Sequence, residues 1–93
     1  MARVELSRTA TQDLERLIRS HSLPRDTRDR VKDSLRHLAT FPLLGPELHG
    51  RWSDFRFVLG PWRWMIFVYV YFPEEDRVVI VTIQDGRSST FAT

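Results

Sequence analysis

Three arginines stand at positions of this chain where they could bind an anion. Arg63 lies between two tryptophans in the apolar run GPWRWMIFVYVYF, residues 60–72. A buried charge without a partner is costly, so Arg63 must pair with an acid of the chain or face a ligand. Arginine keeps its charge and grips phosphate or carboxylate through two parallel bonds. The three residues Arg56, Arg63 and Arg87 together predict a phosphate-binding site.

Hydrophobic spacing predicts the elements that must position these arginines. RVEL alternates charged and aliphatic residues, as a short strand does. Apolar residues then recur at one-face helical spacing in two segments, followed by a loop rich in Pro and Gly and three apolar runs. The predicted elements are strand 3–6, a helix over 9–21, a second helix that starts at residue 24 or 26 and ends at 40, and strands 54–59, 62–72 and 77–84. We expect one α+β domain over residues 1–93, ordered β-α-α-β-β-β, with an antiparallel meander sheet and a helical hairpin on one face.

The connection between the second and third strands sets where Arg63 points. If residues 60–61 form a two-residue turn with positive φ at the glycine, Val58 pairs with Arg63. Arg56 then pairs with Met65, so the two arginines stand diagonally beside each other on one face. A turn of different length would move Arg56 relative to Arg63.

Side chains alternate between the two faces of a strand, which divides residues 62–72 into two sets. The set expected away from the helices is Arg63, Met65, Phe67, Tyr69 and Tyr71. The set expected under the helices is Trp62, Trp64, Ile66, Val68 and Val70. On this prediction Arg63 projects from the open face of the sheet toward a ligand.

The last strand would bring a third arginine to the same place. Pairing Phe72 with Arg77 across the PEED loop puts Gly86 opposite Arg63, and Arg87 then emerges at the same end of the sheet. We therefore expect Arg56, Arg63 and Arg87 to converge. Ion pairs with Asp54 or Asp85 are the alternative to a ligand.

Composition limits the class of protein. The 93 residues include no cysteine and carry a net charge of +2, with arginine supplying every basic side chain except Lys32. The N-terminus lacks the apolar stretch of a signal peptide, and the longest apolar run is too short to span a bilayer. We expect a cytoplasmic protein that binds no metal, no cofactor and no membrane.

The order of motifs resembles the RelE/ParE superfamily of toxins from bacterial type II toxin–antitoxin modules. The resemblance covers nearly the whole chain. The motifs that carry it are FRFV (55–58), GPWRWMIF (60–67) and DGR (85–87). It implies a toxin neutralised by a cognate antitoxin. In the RelE branch such a toxin enters the ribosome and cleaves mRNA through attack of a 2′-hydroxyl on the adjacent phosphate. In the ParE branch it inhibits DNA gyrase.

The resemblance assigns roles to the same three arginines. Arg63 matches the arginine that stabilises the phosphate in RelE-like nucleases, and Arg56 and Arg87 match basic residues on the neighbouring strands. Two positions depart from the nuclease pattern. Val58 stands where a second basic residue is expected, and Phe91 cannot replace the tyrosine that follows the last arginine.

Other residues could supply the missing acid or base. His49, with Glu47 nearby, and Asp85 are the candidates, whereas Ser88 and Ser89 are expected in a turn and His21 and His37 on helix surfaces without a role. Aromatic residues could stack bases or lie under the antitoxin, which we favour. These are Trp52, Trp62, Tyr69 and Tyr71.

Three hypotheses follow from the sequence. The first, toward which the three arginines incline us, is a ribosome-dependent mRNA endonuclease with Arg56, Arg63 and Arg87 as catalytic residues. The second is a gyrase inhibitor without chemistry of its own. The third is a degenerate toxin that acts only through its antitoxin.

Overall fold

The computed structural model describes residues 1–87. Its elements are β1 (Arg3–Leu6), α1 (Arg8–Ser20), α2 (Thr27–Thr40), a 3-10 helix (Gly50–Trp52), β2 (Arg56–Leu59), β3 (Met65–Phe72) and β4 (Arg77–Asp85). The α+β class and the order β-α-α-β-β-β are confirmed. Strands β2 and β3 begin later than predicted, because the residues before them lie in loops.

The sheet has the order β1-β4-β3-β2 and is mixed. Strands β2, β3 and β4 are antiparallel neighbours, while β1 pairs in parallel with β4. The predicted pure antiparallel meander therefore holds for the last three strands only. The two helices intervene between β1 and the meander, and β1 is added at the far edge of the sheet beside β4.

Both helices cover one face of the sheet and form the core with it. Buried helical residues include Leu14 and Leu17 of α1 and Val31 and Leu35 of α2. The sheet residues in the same core are Met65, Phe67, Tyr69, Val78, Ile80 and Ile83. The predicted assignment of the two faces is therefore wrong for residues 65–72, whereas Trp62 and Trp64 pack against the core as predicted. Both sets of β3 side chains are apolar, so their alternation does not say which set the helices cover.

A β-bulge in β4 is the contact point between sheet and α1. Val68 pairs with Thr82 and Tyr69 pairs with Ile80, so Val81 is an extra residue. The hydroxyl of Ser7 donates to the carbonyl oxygen of Val81 over 2.9 Å. Such a bulge interrupts the ladder and frees backbone groups for partners outside the sheet.

The carboxylate of Asp13 in α1 lies beside β4 just beyond the bulge, on the side where β4 has no strand because β1 ends opposite Ile80. Its Oδ2 accepts hydrogen bonds from Thr82 Oγ1 (2.6 Å) and from the backbone N–H of Ile83 (3.1 Å). Its Oδ1 accepts from Arg16 Nη2 at 2.9 Å. The Asp13 side chain is only 8% exposed. A buried carboxylate is stable when it is paired and fully hydrogen-bonded, so Asp13 pins α1 to one register on β4.

We predict that Asp13→Ala lowers the free energy of unfolding by about 2–4 kcal/mol, because it leaves the N–H of Ile83 buried without an acceptor. Asp33 is the matched control, since it forms the same i,i+3 pair with Arg36 at 2.7 Å but is exposed. Asp33→Ala should cost less than about 0.5 kcal/mol. Urea denaturation measures both, and equal losses would contradict the role given to Asp13.

Candidate functional site

Arg63 lies in the loop between β2 and β3, not in a strand. Leu59 pairs with Ile66, so residues 60–64 form the connection. The loop is closed by bonds from Gly60 N to the Met65 carbonyl (2.8 Å) and from Met65 N to the Trp62 carbonyl (3.0 Å). The predicted two-residue turn is therefore wrong, and so is positive φ at Gly60. The reason is packing, because the two tryptophans lie against the core instead of extending β3.

The guanidinium of Arg63 is exposed at the tip of this loop. Within residues 1–87, its side chain forms no hydrogen bond or ion pair to the chain and is not buried without a partner. The position of Arg63 explains how a charged residue fits into an apolar run. It avoids the cost of burial by standing in a turn, outside the strand that the sequence predicted.

Arg56 lies at the opposite end of β2 and serves the fold. It pairs with Tyr69, not with Met65 as predicted. Its Nη1 donates to the carbonyl of Gly45 (2.8 Å) and its Nη2 to Glu47 Oε1 (3.1 Å). Three residue steps along the strand, roughly 10 Å, lie between Arg56 and Leu59, the last residue of β2. Arg56 is therefore not beside Arg63, and the predicted convergence of three arginines is not formed.

Gly45 explains why Arg56 and Tyr69 are fixed so firmly. A Cβ at Gly45 would collide with the carbonyl oxygen of Phe57, so this edge segment can approach β2 only with glycine. The N–H of Gly45 donates to the hydroxyl of Tyr69 at 3.0 Å. Burial raises the pKa of Tyr69 and keeps it protonated. The predicted exposure of Tyr69 to a base or an antitoxin is therefore wrong, since it is buried.

Arg87 follows β4 and does lie at the same end of the sheet as Arg63. Gly86 N donates to the carbonyl of Trp64 over 2.6 Å, which joins the two segments. Arg87 itself is engaged by an acid, with Nε 3.1 Å from Oδ1 and Nη2 3.2 Å from Oδ2 of Asp85. Its guanidinium also lies 4.8 Å from the ring centroid of Trp64. The internal ion pair considered as the alternative is thus present for Arg87.

His21, for which the sequence suggested no role, belongs to this cluster. It is the C-cap of α1, and its Nε2 lies 3.1 Å from Asp85 Oδ2. The imidazole stacks on Trp64 with ring centroids 4.4 Å apart and an interplanar angle of 12°. The hydrogen bonds from Arg87, with a smaller contribution from His21, lower the pKa of Asp85 to about 2. His21 therefore ties the end of α1 to the end of β4.

These partners leave no evident acid–base pair beside Arg63. A carboxyl with a pKa of about 2 is a poor base at neutral pH, so Asp85 does not suit that role. Glu47 is bound to Arg56, and His49 is exposed before the 3-10 helix. Ser88, Ser89 and Phe91 lie outside the described residues. Residues 1–87 contain no group of three His, Cys, Asp or Glu side chains that could hold a metal ion.

The face of the sheet opposite the helices is apolar where an arginine site was expected. Its side chains on β2 and β3 are Phe57, Leu59, Ile66, Val68, Val70 and Phe72. Leu59 is 51% exposed. At the edge of this face, Arg77 is held by Glu5 (2.6 Å) and Glu75 (3.1 Å). On β2 and β3 this face is therefore apolar, with Leu59 and Phe72 exposed and Val68 buried, and the nearest cation is Arg77 of β4, whose guanidinium lies 5.0 Å from the ring centroid of Phe72.

The two kinds of arginine should respond differently to removal. Arg56→Ala should lower the free energy of unfolding by about 1–3 kcal/mol, because Gly45 and Glu47 lose their donor. Arg63→Ala should change it by less than about 0.5 kcal/mol. Thermal and urea unfolding measure both. An Arg63→Ala protein that unfolds as readily as Arg56→Ala would show that Arg63 has a structural partner.

Asp85 should make stability depend on acid. Its pKa falls from 3.8 to about 2 on folding, so its contribution is present above about pH 4 and is lost as the pH falls toward about 2. Asp85→Asn should flatten this part of the profile of unfolding free energy against pH. Arg51→Met, which changes an exposed arginine elsewhere, should keep the wild-type slope. An unchanged slope in Asp85→Asn would contradict the ion-pair assignment.

The described part of the chain contains no helix long and apolar enough to cross a membrane. Among solved structures, the fold is similar to the RelBE2 toxin–antitoxin complex of Mycobacterium tuberculosis, with a TM-score of 0.69, 22% identity and coverage of 90% of this chain and 96% of that one. It is also similar to a metal-bound toxin of Helicobacter pylori, with a TM-score of 0.68, 22% identity and coverage of 91% and 94%. The isolated RelE toxin of E. coli gives a TM-score of 0.66 at 16% identity, covering 99% and 93%.

These likenesses show the fold, and a family model shows the kinship. No curated protein matches the sequence significantly. Residues 4–89, nearly the whole chain, match the model described as the ParE toxin of the type II toxin–antitoxin system parDE. The predicted membership of the RelE/ParE superfamily is thereby confirmed. The chain belongs to the ParE toxin family of type II toxin–antitoxin systems.

Proposed function

We propose that this toxin arrests growth by binding DNA gyrase without cleaving RNA, and that a cognate antitoxin holds it inactive. The proposal takes the second of the three hypotheses over the first. What supports it is the combination of an apolar open face with arginines that are largely engaged inside the molecule.

The apolar open face is the observation that carries the proposal. A surface that binds messenger RNA needs several cations to neutralise phosphates. On β2 and β3 this face instead presents aliphatic and aromatic side chains, with Leu59 and Phe72 exposed. Exposed apolar area of this kind is typical of a surface that binds protein.

The hydrogen bonds of Arg56 and Arg87 also support a function without RNA cleavage. A phosphate-stabilising arginine must present free donors to the oxygens that gain charge in the transition state. Arg56 spends its donors on Gly45 and Glu47, and Arg87 spends its donors on Asp85. Each would have to break an internal bond before it could bind phosphate, which argues against a preformed catalytic site.

A suitable binding site for the antitoxin lies on the other side of the molecule. A groove of about 670 Å³ runs between α1, α2 and β1. Its floor is apolar, with Val4, Leu14 and Val31. Its charged lining is mainly basic, with Arg36 paired to Asp33, and consists of Glu5, Arg28, Lys32 and Arg36. Backbone groups on the outer edge of β1 also have no strand beside them in the described sheet. An antitoxin segment with apolar and acidic residues would match this groove in shape and charge.

Ribosome-dependent cleavage of mRNA is the second candidate, favoured by one specific observation. Arg63 is exposed, has no partner within residues 1–87 and lies at the same end of the sheet as Arg87. A phosphate could bind there if Arg87 exchanged its acid for the ligand. The nuclease would then need an acid and a base from outside this cluster.

A short expression experiment separates the two candidates. The chain is induced briefly in bacteria, and mRNA 5′ ends and plasmid supercoiling are measured in the same culture. We expect altered supercoiling or cleaved DNA with no new 5′ ends inside translated codons. New codon-associated 5′ ends with unchanged supercoiling would refute gyrase binding in favour of the nuclease.

The same expression system tests whether the antitoxin binds the groove between α1, α2 and β1. Co-expression of the antitoxin should restore growth for the wild type. The double variant Lys32→Glu with Arg36→Glu should remain toxic but be rescued less, because both charges face an acidic segment in the proposed complex. Full rescue of this variant would place the antitoxin elsewhere.

A further inference from the structure

We infer that the loop Gly60–Trp64, hereafter the tryptophan turn, is the element that docks on the target, and that it binds a protein surface rich in carboxylates. The inference rests on the proposed function, because it adds to the apolar open face a docking element that directly follows the exposed Leu59 at the end of that face. The turn lies at one end of the molecule, where the C-cap of α1 and the end of β4 meet it.

Backbone hydrogen bonds hold the tryptophan turn in one conformation. Gly60 N donates to the Met65 carbonyl at 2.8 Å, and Met65 N donates to the Trp62 carbonyl at 3.0 Å. From the neighbouring strand, Gly86 N donates to the Trp64 carbonyl at 2.6 Å. A segment that is ordered before binding loses little conformational entropy on docking.

The rings of the two tryptophans already have partners from this chain. They stack on each other with centroids 6.2 Å apart at 23°. The guanidinium of Arg30 lies 5.7 Å from the centroid of Trp62. His21 and Arg87 approach Trp64 at 4.4 and 4.8 Å. Because these contacts occupy the ring faces, the turn is poorly suited to stacking nucleobases, the usual way in which tryptophan binds single-stranded nucleic acid.

What the turn does offer is hydrogen-bond donors. Within residues 1–87, the guanidinium of Arg63 and the indole N–H groups of Trp62 and Trp64 form no hydrogen bond to the chain, and none of them is buried without a partner. All three groups are donors only. A ligand that satisfies them must therefore supply acceptors, and carboxylate oxygens match both the charge and the geometry of arginine.

The charge balance around the turn favours protein over nucleic acid. Asp26 neutralises Arg30 at 2.9 Å, and Asp85 neutralises Arg87. Arg63 is then the one arginine of the three whose charge no acid of the described chain offsets. A single uncompensated charge suits one carboxylate or a small acidic patch, whereas nucleic acid binding requires several phosphate contacts. Trp and Arg are also the residues that most often dominate protein–protein interfaces.

Binding of purified DNA gyrase to the full-length toxin tests the inference, with biolayer interferometry as the readout. We expect Arg63→Ala to weaken binding by roughly tenfold to a hundredfold and Arg63→Glu to weaken it further. Arg51→Ala and Arg51→Glu are the matched controls, since Arg51 is exposed on the 3-10 helix away from the turn. Both controls should bind within about twofold of the wild type. Circular dichroism confirms that each variant folds.

The outcomes separate this inference from the proposed function. If the wild type binds gyrase and both Arg63 variants bind equally well, the docking role of the turn is wrong while the proposed target stands. If the wild type does not bind gyrase, the proposed target is wrong, and growth arrest then decides the inference. Arrest that survives Arg63→Glu would overturn the inference, whereas arrest lost in Arg63→Glu and kept in Arg51→Glu would support it for another protein target. Codon-associated mRNA cleavage by the wild type would overturn the carboxylate partner.

Discussion

The fold depends on a buried carboxylate that fits a defect in the sheet. β1 ends opposite Ile80, so β4 has no strand on that side beyond the bulge at Val81, and Asp13 of α1 accepts there from the hydroxyl of Thr82 and the N–H of Ile83. A charge in this place is tolerated only when all its bonds form, so α1 can dock in one register. The end of α1 is thereby placed where His21 reaches Asp85 and Trp64. A helix shifted by one residue would lose both contacts.

This placement links the core to the surface that we assign to the target. His21 and Arg87 share one carboxylate and one indole ring, so α1, β4 and the tryptophan turn are fastened together. At the opposite end of β2, Arg56 performs a similar task for the edge segment through Gly45. Two arginines thus build the fold, and the third is left to act on something else. A rigid surface favours protein binding because little conformational entropy is lost on docking, and such binding requires no catalytic acid or base.

The order and type of the elements could be predicted because apolar spacing in both helices and all strands is regular. Which face of β3 the helices cover could not be predicted, because both sets of its side chains are apolar and their alternation does not distinguish the two faces. The predicted pairing of β2 with β3 was wrong because Trp62 and Trp64 pack against the core, which makes the connection longer than the expected two-residue turn. Asp13 could have been found, because it falls within the apolar stripe of Leu14 and Leu17. His21 carried no comparable signal, since its partners are remote in sequence.

Reconstitution with purified components tests the central claim, that this toxin acts by binding gyrase and not by cutting RNA. The full-length toxin is added to DNA gyrase with relaxed plasmid and, in parallel, to translating ribosomes with a defined mRNA. We predict inhibited supercoiling or trapped DNA cleavage, and an mRNA that stays intact. Cleavage of the mRNA on the ribosome, together with unimpaired gyrase, would contradict it.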